Sequence, residues 1–337
     1  MKKRLFSVIL IITLFSASFI GIHFVSTASA KPLSIIYGVT PAPASKSYQE
    51  VVGELDGSPF LLRFPYPTEN WNGKLYVYCH GWNDGVEPAV SSLRSASVAT
   101  INGGGAFAAS TFGEGGYPIQ KAVIRTHQLT EWVIDNFDVE GKVFLIGISM
   151  GGNVALQLGA KYPDLYSGVL DVCGSKDLTD SYNKRSWANL NDAALTVELE
   201  ALGPTPAPPP TIPFSMRYYP CTSLEALRVF VTNRAEDLAD ECGGPPTEKP
   251  KAYEKISPLY SATNLQIPVI TIHGTLDGVV SLSQSLAYQV AVAEAGNSGM
   301  YRLYIVPGGG HASSSVMMQV STRMPELVTW SDAIDPP

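Results

Sequence analysis

The stretch Val143-Phe-Leu-Ile-Gly147-Ile-Ser149-Met-Gly151-Gly-Asn-Val-Ala-Leu-Gln-Leu-Gly-Ala160 decides the fold. Its apolar first residues predict a buried parallel strand, and after Gly151 apolar residues recur at the spacing of a helix. Between the two lies Gly147-x-Ser149-x-Gly151, in which residues without side chains allow the chain to turn sharply from strand to helix. We expect the Ser149 hydroxyl to project from this turn, where the free N–H groups of the helix favour developing negative charge.

The same five residues also fit a glycine-rich turn that only buries a serine. A nucleophile elbow requires in addition a strand directly before the turn and a helix directly after it, and this sequence predicts both. That context favours Ser149 as a nucleophile over Ser149 as a structural residue.

The predicted elements alternate between strand and helix on both sides of Ser149. A hairpin is predicted over Ser47–Pro65, because strand-like residues flank the turn signal Asp56-Gly57. Such alternation predicts an α/β fold with a mostly parallel central sheet that helices cover on both faces. Further strands are expected at 73–79, 105–110, 167–173, 267–273 and 300–306, and helices at 88–99, 119–137, 281–295 and from about 314.

The first thirty residues have the organisation of a signal peptide. Met1-Lys-Lys-Arg4 is basic, residues 5–22 are apolar, and Ala28-Ser-Ala30 matches the small-x-small pattern of a signal-peptidase site. We therefore expect cleavage after Ala30 and a secreted, extracellular and soluble mature protein. The apolar run is long for a signal peptide, so an uncleaved membrane anchor is the alternative interpretation.

Residues 31–175 and 262–337 are predicted to form the two parts of one α/β core. Between them, residues 176–261 interrupt the alternation with the proline-rich run 204–210 and with charged helical fragments. This segment is too long for a loop in a compact domain, so we interpret it as an inserted cap, or lid. Aromatic side chains of the cap are candidates to close over a substrate: Phe214, Tyr218 and Tyr219.

Charge and cysteine content limit the classes of partner. Loss of three basic residues with the signal peptide takes the net charge from −7 to −10, which argues against nucleic acid or an anionic membrane surface as a partner. In an exported chain, four cysteines favour disulfides, and Cys221 with Cys242 is the preferred pair. Cys79 and Cys173 are expected to be free and buried. Neither a metal nor a cofactor is predicted, since no cysteine–histidine spacing suits zinc.

Three predicted strands are followed by loops that carry a serine, an aspartate and a histidine in that order. Ser149 follows the first strand, Asp277 lies in the loop 274–278, and His311 follows the glycine run 308–310. The carboxyl ends of parallel strands meet at one edge of the sheet. A serine hydroxyl needs a neutral imidazole to take its proton, and the imidazole needs an acceptor that fixes its tautomer. We therefore predict a catalytic triad of Ser149, His311 and Asp277.

Other polar residues fit these roles less well. Asp171, near the end of the strand at 167–173, is the reserve for the acid, with a hydrogen bond inside the sheet as the other interpretation. His80 is interpreted as a structural residue that orients its loop, and His127 as a packed or solvated residue in the middle of a helix. His273 precedes its loop on a strand, and His23 belongs to the predicted signal peptide.

An oxyanion hole requires two backbone N–H donors. The residue after the nucleophile, Met150, supplies one of them, and Trp82, in the loop after His80-Gly81, is predicted to supply the other. The side chains of Trp82, Phe112, Tyr117 and Met150 are candidates to line an apolar substrate pocket, with core packing as the alternative for each aromatic residue.

Several motifs of the chain resemble landmarks of the α/β-hydrolase superfamily. They are Cys79-His-Gly-Trp82, Gly147-Ile-Ser-Met-Gly-Gly152, His273-Gly-Thr-Leu-Asp-Gly278 and Gly310-His311. More narrowly, the chain is similar to secreted bacterial esterases and to the catalytic domains of prolyl-oligopeptidase-like serine hydrolases. The resemblance covers residues 47–175 and 262–320 and fails through the cap, and Ile148 stands where relatives often carry histidine or tryptophan. It implies the α/β-hydrolase fold, the triad and a mechanism without a metal.

The sequence thus predicts a secreted serine esterase, a carboxylesterase, that cleaves small-molecule or polymeric esters through an acyl-enzyme. A serine peptidase of the same mechanism is the first alternative, with the acidic pair Glu236 and Asp237 as a hint of amine binding, although such pairs also form solvated helix faces. A non-catalytic binding protein on a hydrolase scaffold is the second alternative, and the presence of all three triad residues argues against it.

Overall fold

The computed structural model describes residues 35–40, 47–82, 97–137, 139, 141–185 and 234–334. In these residues nine strands form one sheet with the order β1-β2-β3-β5-β4-β6-β7-β8-β9. Their bounds are β1 Ile35–Thr40, β2 Tyr48–Leu55, β3 Ser58–Pro65, β4 Leu75–Cys79, β5 Ala106–Ser110, β6 Val143–Ile148, β7 Gly168–Val172, β8 Val269–Gly274 and β9 Tyr301–Val306. The strands from β4 to β9 are parallel to one another, which confirms the predicted mostly parallel sheet.

The amino-terminal part of the sheet is antiparallel. β2 and β3 form the predicted hairpin, in which Leu55 pairs with Ser58 across a tight turn. Asp56 and Gly57 have φ angles of 51° and 80°, the left-handed conformation that a two-residue hairpin turn needs. β1 was not predicted, and it pairs antiparallel with β2 at the outer edge. β3 then joins the parallel part by pairing antiparallel with β5.

Helices cover the two faces of the sheet, as predicted from the alternation. Their bounds are α1 Val98–Asn102, α2 Ile119–Asn136, α3 Met150–Lys161, α4 Leu178–Arg185, α5 234–242, α6 Pro250–Lys255, α7 Leu282–Glu294, α8 Ser314–Met317 and α9 Val320–Ile334. The helices expected at 119–137 and 281–295 are confirmed as α2 and α7. The helix expected at 88–99 falls mostly outside the described residues, and the described helix there begins at Val98.

Two apolar cores result, one on each face of the sheet. The first is formed by α2, α3 and α7 with one set of strand side chains, and includes Val123, Val154 and Val292. The second is formed by α1, α8 and α9 with the opposite set, and includes Ile101 and Leu327. Because both faces are covered, β7 and β8 are buried along their whole length and are mostly apolar, as parallel strands usually are. The carboxyl ends of β6, β7, β8 and β9 remain together at one edge.

A fully buried ion pair lies at the end of β7. The Lys176 ammonium is 2.6 Å from Oδ2 of Asp171, and the side chains of both residues have no exposed surface. Asp171 also accepts hydrogen bonds from the Thr271 hydroxyl at 2.8 Å and from the Gly174 N–H at 2.9 Å. These partners hold Asp171 inside the sheet, which agrees with the structural interpretation of this residue, whereas the carboxylate bonded to His311 is that of Asp277.

The limits of the predicted cap stay a prediction, because residues 186–233 lie outside the described residues. Its described ends pack closely on the core. Asn153 and Gln157 of α3 both donate to the Ile256 carbonyl, at 3.0 and 3.1 Å. The two described ends are also bonded to each other, since the Leu259 N–H donates to the Lys176 carbonyl at 2.9 Å. The side chain of Glu241 in α5 accepts a hydrogen bond from the Gln120 N–H at the start of α2.

The predicted signal peptide, residues 1–30, also lies outside the described residues, so export stays a prediction. Within the described part of the chain, every helix is too short or too polar to cross a bilayer.

The predicted Cys221–Cys242 disulfide is contradicted, because Cys242 is a free thiol. Its side chain is directed into the core beside Tyr253, and burial raises the pKa of the thiol to about 12. Spacing along the chain does not reveal the direction of a side chain, and Cys221 falls among the residues not described. Cys79 and Cys173 are free and buried, as predicted.

The buried ion pair makes the fold sensitive to the loss of one partner. Replacing Lys176 by methionine should destabilise the protein by about 3–5 kcal/mol, because the Asp171 carboxylate then stays buried without its counter-charge. Adding Asp171→Asn to Lys176→Met removes that charge and should recover more than half of the loss. Urea unfolding followed by circular dichroism measures both variants. A loss below about 1 kcal/mol in Lys176→Met would contradict this account.

Candidate active site

Ser149 lies between β6 and α3 in a strained backbone conformation. Its φ is 58° and its ψ is −123°, a region that residues with a side chain rarely adopt. The Ser149 N–H donates to the Val172 carbonyl at 2.9 Å, which ties the turn to the end of β7. This geometry is that of a nucleophile elbow, in which the hydroxyl leaves the sheet plane at the carboxyl edge.

Two glycines make the turn possible. A Cβ atom on Gly147 would lie 2.1 Å from the Gly151 carbonyl oxygen, and one on Gly151 would lie 2.0 Å from the Cys79 carbonyl oxygen. Both distances are far below van der Waals contact, so any side chain would push the start of α3 away from β6 and β4. The glycines of the motif are therefore required by packing around Ser149.

The loops after β8 and β9 are bonded to each other. The Leu276 N–H donates to the Gly309 carbonyl at 2.9 Å, and the Gly308 N–H donates to the Thr275 hydroxyl at 2.9 Å. A Cβ atom on Gly274 would lie 2.0 Å from the Gly309 carbonyl oxygen. Since β8 and β9 are neighbours in the sheet, these contacts fix the loop of Asp277 against the loop of His311.

The structure brings Asp277 and His311 into direct contact. Nδ1 of His311 lies 2.8 Å from Oδ2 of Asp277. A carboxylate only accepts hydrogen bonds, so Nδ1 carries the proton, and Nε2 lies on the other side of the ring. Ser149, Asp277 and His311 are 7, 8 and 6 % exposed, so all three lie just below the protein surface. A small exposed fraction at each residue is compatible with access of a reactant and exclusion of bulk water.

The pKa values of the pair follow from burial and mutual charge. Burial lowers the pKa of His311 below its ordinary value of 6.5, against the opposite effect of Asp277, and the charge of Arg234 lowers it further. Burial alone would raise the pKa of Asp277, but the charge of His311 and hydrogen bonds from His273 and His311 hold that pKa well below 3.8. Asp277 is thus ionised while His311 is neutral near pH 7.

Two neighbours of Asp277 were not predicted as site residues. Nε2 of His273 lies 3.2 Å from Oδ2 of Asp277. The second neighbour is Cys173, whose φ is 52°. Its Sγ, one carboxylate oxygen of Asp277 and one ring nitrogen of His311 all lie within 4.8 Å of one another. Burial raises the pKa of the Cys173 thiol well above 9.0, so the sulfur carries a proton at neutral pH. The sequence signal for these contacts is that Cys173 directly follows β7 and that His273 is the last residue but one of β8.

The loop after β4 lies against the elbow. A Cβ atom on Gly81 would be 3.3 Å from the Ile148 carbonyl oxygen and 3.5 Å from Cβ of Ser149. The next residue, Trp82, is buried, and Met150 is buried at the first position of α3. The two predicted oxyanion donors therefore belong to segments that flank Ser149.

His80 stabilises that loop from within. Nδ1 of His80 donates to the Gly81 carbonyl at 2.7 Å, and the imidazole stacks on the Phe112 ring at 3.9 Å between centroids. Burial lowers the pKa of His80 to about 4, so the ring is neutral at physiological pH. Phe112 is fully buried behind His80, and Tyr117 is also buried. Their packing resembles that of core residues, so their predicted place in a substrate pocket stays a prediction.

Helix α5, in the segment predicted as a cap, contacts the loop after β4. The Trp82 indole N–H donates to the Asp237 carboxylate, and the Arg234 guanidinium lies 4.9 Å from the centroid of the Trp82 ring. Glu236, by contrast, is exposed. The two acidic residues proposed as an amine-binding pair therefore have different surroundings, with only Asp237 at the site.

His127 lies apart from these residues, on α2. Its imidazole stacks on the Tyr162 ring at 3.7 Å between centroids, and its Nε2 is 3.5 Å from the Glu131 carboxylate. Tyr162 follows the last residue of α3, at the opposite end of that helix from Ser149. His127 is a packing residue, as one of its two interpretations expected.

Two family models match separate parts of the chain. The Esterase family matches residues 114–204, and the prolyl oligopeptidase family matches residues 219–334. Among curated protein sequences, none matches the chain significantly.

Solved structures with the same fold include esterases and a peptidase. The esterase Pf2001 of Pyrococcus furiosus has a TM-score of 0.54 and 14 % identity, with 93 % of this chain and 98 % of that chain covered. The acylaminoacyl peptidase of Pyrococcus horikoshii has a TM-score of 0.51 and 14 % identity, and this chain spans only 42 % of its length while 89 % of this chain is covered. Est1E of Butyrivibrio proteoclasticus has a TM-score of 0.50 and 13 % identity, with 86 % of this chain and 100 % of that chain covered.

At such identities the structural likeness shows the fold, and the family models add the class of chemistry. The parallel sheet, the elbow at Ser149 and the two family matches agree with one another. The chain is an α/β-hydrolase-fold serine hydrolase, similar to esterases and to the prolyl oligopeptidase family.

Proposed function

We propose that the protein hydrolyses carboxylic esters through an acyl-enzyme, with Ser149 as nucleophile, His311 as general base and acid, and Asp277 as the residue that orients His311. The observation that carries this proposal is the 2.8 Å hydrogen bond from Nδ1 of His311 to Asp277. It fixes the tautomer in which Nε2 has a lone pair, and Ser149 lies on the elbow at the same edge of the sheet.

In the first step, Ser149 Oγ attacks the ester carbonyl carbon while Nε2 of His311 takes the hydroxyl proton. The N–H groups of Met150 and Trp82 donate hydrogen bonds to the carbonyl oxygen and stabilise the negative charge that forms on it. The imidazolium then gives its proton to the leaving alcohol, and the acyl group remains on Ser149. Asp277 stabilises the imidazolium in both transition states without itself taking a proton.

In the second step, water attacks the acyl-enzyme. His311 removes a proton from the water and returns it to Ser149 Oγ when the acid is released. A neutral His311 is therefore needed at the start of both steps. The lowered pKa of His311 supports this requirement near pH 7.

An ester is favoured over a peptide as the substrate. A peptidase that removes residues from a free amino terminus needs an anionic site for the amine, and Glu236 is exposed while Asp237 accepts from the Trp82 indole. The prolyl oligopeptidase match keeps the peptidase as the second candidate. We further propose that the protein is exported and cleaved after Ala30, on the strength of its basic, apolar and small-x-small amino-terminal pattern.

Replacing Ser149 by alanine should lower kcat on short p-nitrophenyl esters by about 10⁴-fold or more, because the acyl-enzyme can no longer form. The same variant should lose labelling by a fluorophosphonate probe. Ser321→Ala, a change at an exposed serine on α9, is the matched control and should keep both activities. The rate of cleavage of an amino-acyl anilide, compared with that of a p-nitrophenyl ester, distinguishes the peptidase from the esterase. If the anilide is cleaved faster than the ester, the peptidase is favoured. An unlabelled, inactive wild-type enzyme would refute the proposed function.

Replacing Asp277 by asparagine should lower kcat by about 10³- to 10⁴-fold, with KM changed less than threefold. The amide no longer stabilises the imidazolium and can present an N–H to Nδ1 of His311, which reverses the tautomer. Steady-state kinetics of the folded variant measure the effect, and circular dichroism checks the fold. Equal kcat values in Asp277→Asn and wild type would remove Asp277 from the mechanism.

The acid limb of the pH–rate profile should report His311. Since only the neutral imidazole accepts the Ser149 proton and burial lowers its pKa, kcat/KM should rise with pH through an apparent pKa below 6.5 and reach a plateau by about pH 7. Initial rates between pH 4.5 and 8.5 test this, with circular dichroism at each pH to separate protonation from unfolding. An acid limb centred above pH 7 in folded protein would contradict it.

A further inference from the structure

We propose that His273 is a positioning residue for the catalytic acid: its Nε2–H donates to the same Asp277 oxygen that accepts from His311. The inference rests on the proposed triad and adds a residue to it. Nε2 of His273 is 3.2 Å from Oδ2 of Asp277 and 2.7 Å from the Val280 carbonyl oxygen. Nδ1 is 2.7 Å from the Ser285 hydroxyl.

These partners decide where the protons lie. A backbone carbonyl cannot donate, so Nε2 of His273 must carry the hydrogen, which it shares between Val280 and Asp277. In the neutral ring, Nδ1 then accepts the Ser285 hydroxyl hydrogen. Every polar atom of the imidazole is satisfied in this state, although the side chain has no exposed surface.

Both oxygens of Asp277 are held by donors in the described residues. Oδ1 accepts from the N–H groups of Val279 and Val280 at 3.0 and 2.8 Å. Oδ2 accepts from Nδ1 of His311 at 2.8 Å and lies 3.2 Å from Nε2 of His273. The backbone donors fix one end of the carboxylate, and His273 fixes the other end in the orientation that His311 uses.

His273 is itself anchored to two elements. It belongs to β8, and Ser285 belongs to the buried face of α7, so the ring is held between the sheet and a helix. The Val280 carbonyl, in the loop between β8 and α7, accepts a hydrogen bond from Nε2 of His273, the ring nitrogen nearer to Asp277. This arrangement makes the ring a rigid support rather than a mobile acid or base.

A support of this kind affects the chemical step more than substrate binding. His311 is protonated only during the chemical steps, after it has taken the proton of the nucleophile. If Asp277 loses one of its donors, its carboxylate can rotate away from this imidazolium. His273 does not touch the reacting atoms. Its loss should therefore lower kcat and leave KM nearly unchanged.

Three substitutions separate positioning from simple packing. His273→Gln places an amide N–H near the position of Nε2, His273→Asn places its amide near Nδ1, and His273→Leu removes both polar atoms. His127→Asn, at the histidine that stacks on Tyr162, is the matched control. Each variant is assayed with a short p-nitrophenyl ester, and thermal unfolding gives the folded fraction at the assay temperature.

We expect His273→Asn and His273→Leu to lower kcat by about 10- to 100-fold per folded molecule, with KM within threefold of wild type. His273→Gln should recover kcat to within about fivefold of wild type. His127→Asn should keep wild-type kcat. If His273→Leu does not fold, the comparison of glutamine with asparagine still tests the inference, since both variants carry the same amide group.

Equal kcat values for the glutamine and asparagine variants, or a loss that is explained by the folded fraction alone, would overturn the positioning role while leaving the triad intact. The activity of Ser149→Ala distinguishes this result from failure of the proposed function: if Ser149→Ala is inactive, the proposed function stands and only the role of His273 is overturned. A wild-type enzyme whose ester hydrolysis does not depend on Ser149 overturns both.

Discussion

A buried carboxylate is stable only where hydrogen-bond donors surround it. Asp277 is such a carboxylate, and its donors come from the loops at the carboxyl ends of the strands. Removing the charge from water costs several kcal/mol unless hydrogen bonds replace the lost hydration. The two N–H groups of the loop 279–280 and the imidazole of His311 supply these bonds, and Nε2 of His273 lies 3.2 Å from the same carboxylate. Because His311 is one of these donors, the orientation of the proposed base follows from the solvation of the acid.

At the edge of the sheet where the parallel strands end, backbone segments lie so close together that several residues cannot carry a side chain. The elbow at Ser149 needs glycine at 147 and 151, and the contact between the loops of Asp277 and His311 needs glycine at 274. These close contacts hold the three loops at the ends of β6, β8 and β9 in a fixed arrangement. A catalytic group on such a scaffold loses little entropy when a reactant binds, which is how positioning contributes to rate.

Much of this arrangement was predictable from local sequence. The hairpin at Asp56-Gly57, the strand and helix around Ser149 and the strands before Asp277 and His311 each carry a signal in neighbouring residues. The order of these loops then suggested which side chains meet. β1 is not predicted, although Ile35-Ile-Tyr-Gly-Val-Thr40 is rich in strand-forming residues and pairs with the next strand, β2.

The errors concern the directions of side chains. Cys242 was paired with Cys221 from spacing alone, and its thiol is directed at Tyr253 instead. His273 was set aside because it precedes its loop, yet its ring reaches Asp277 four residues later. Sequence periodicity gives the face of a strand on which a residue lies. It does not say which loop folds back over that face.

The hydrogen bond from the Trp82 indole to Asp237 joins the predicted cap to the loop beside Ser149. Trp82 belongs to the loop beside the nucleophile, whereas Asp237 belongs to a segment that lies outside the two core parts. Grafting a different cap onto this core would therefore alter turnover together with selectivity. Directed evolution of new substrate ranges in this scaffold has to vary the two segments jointly.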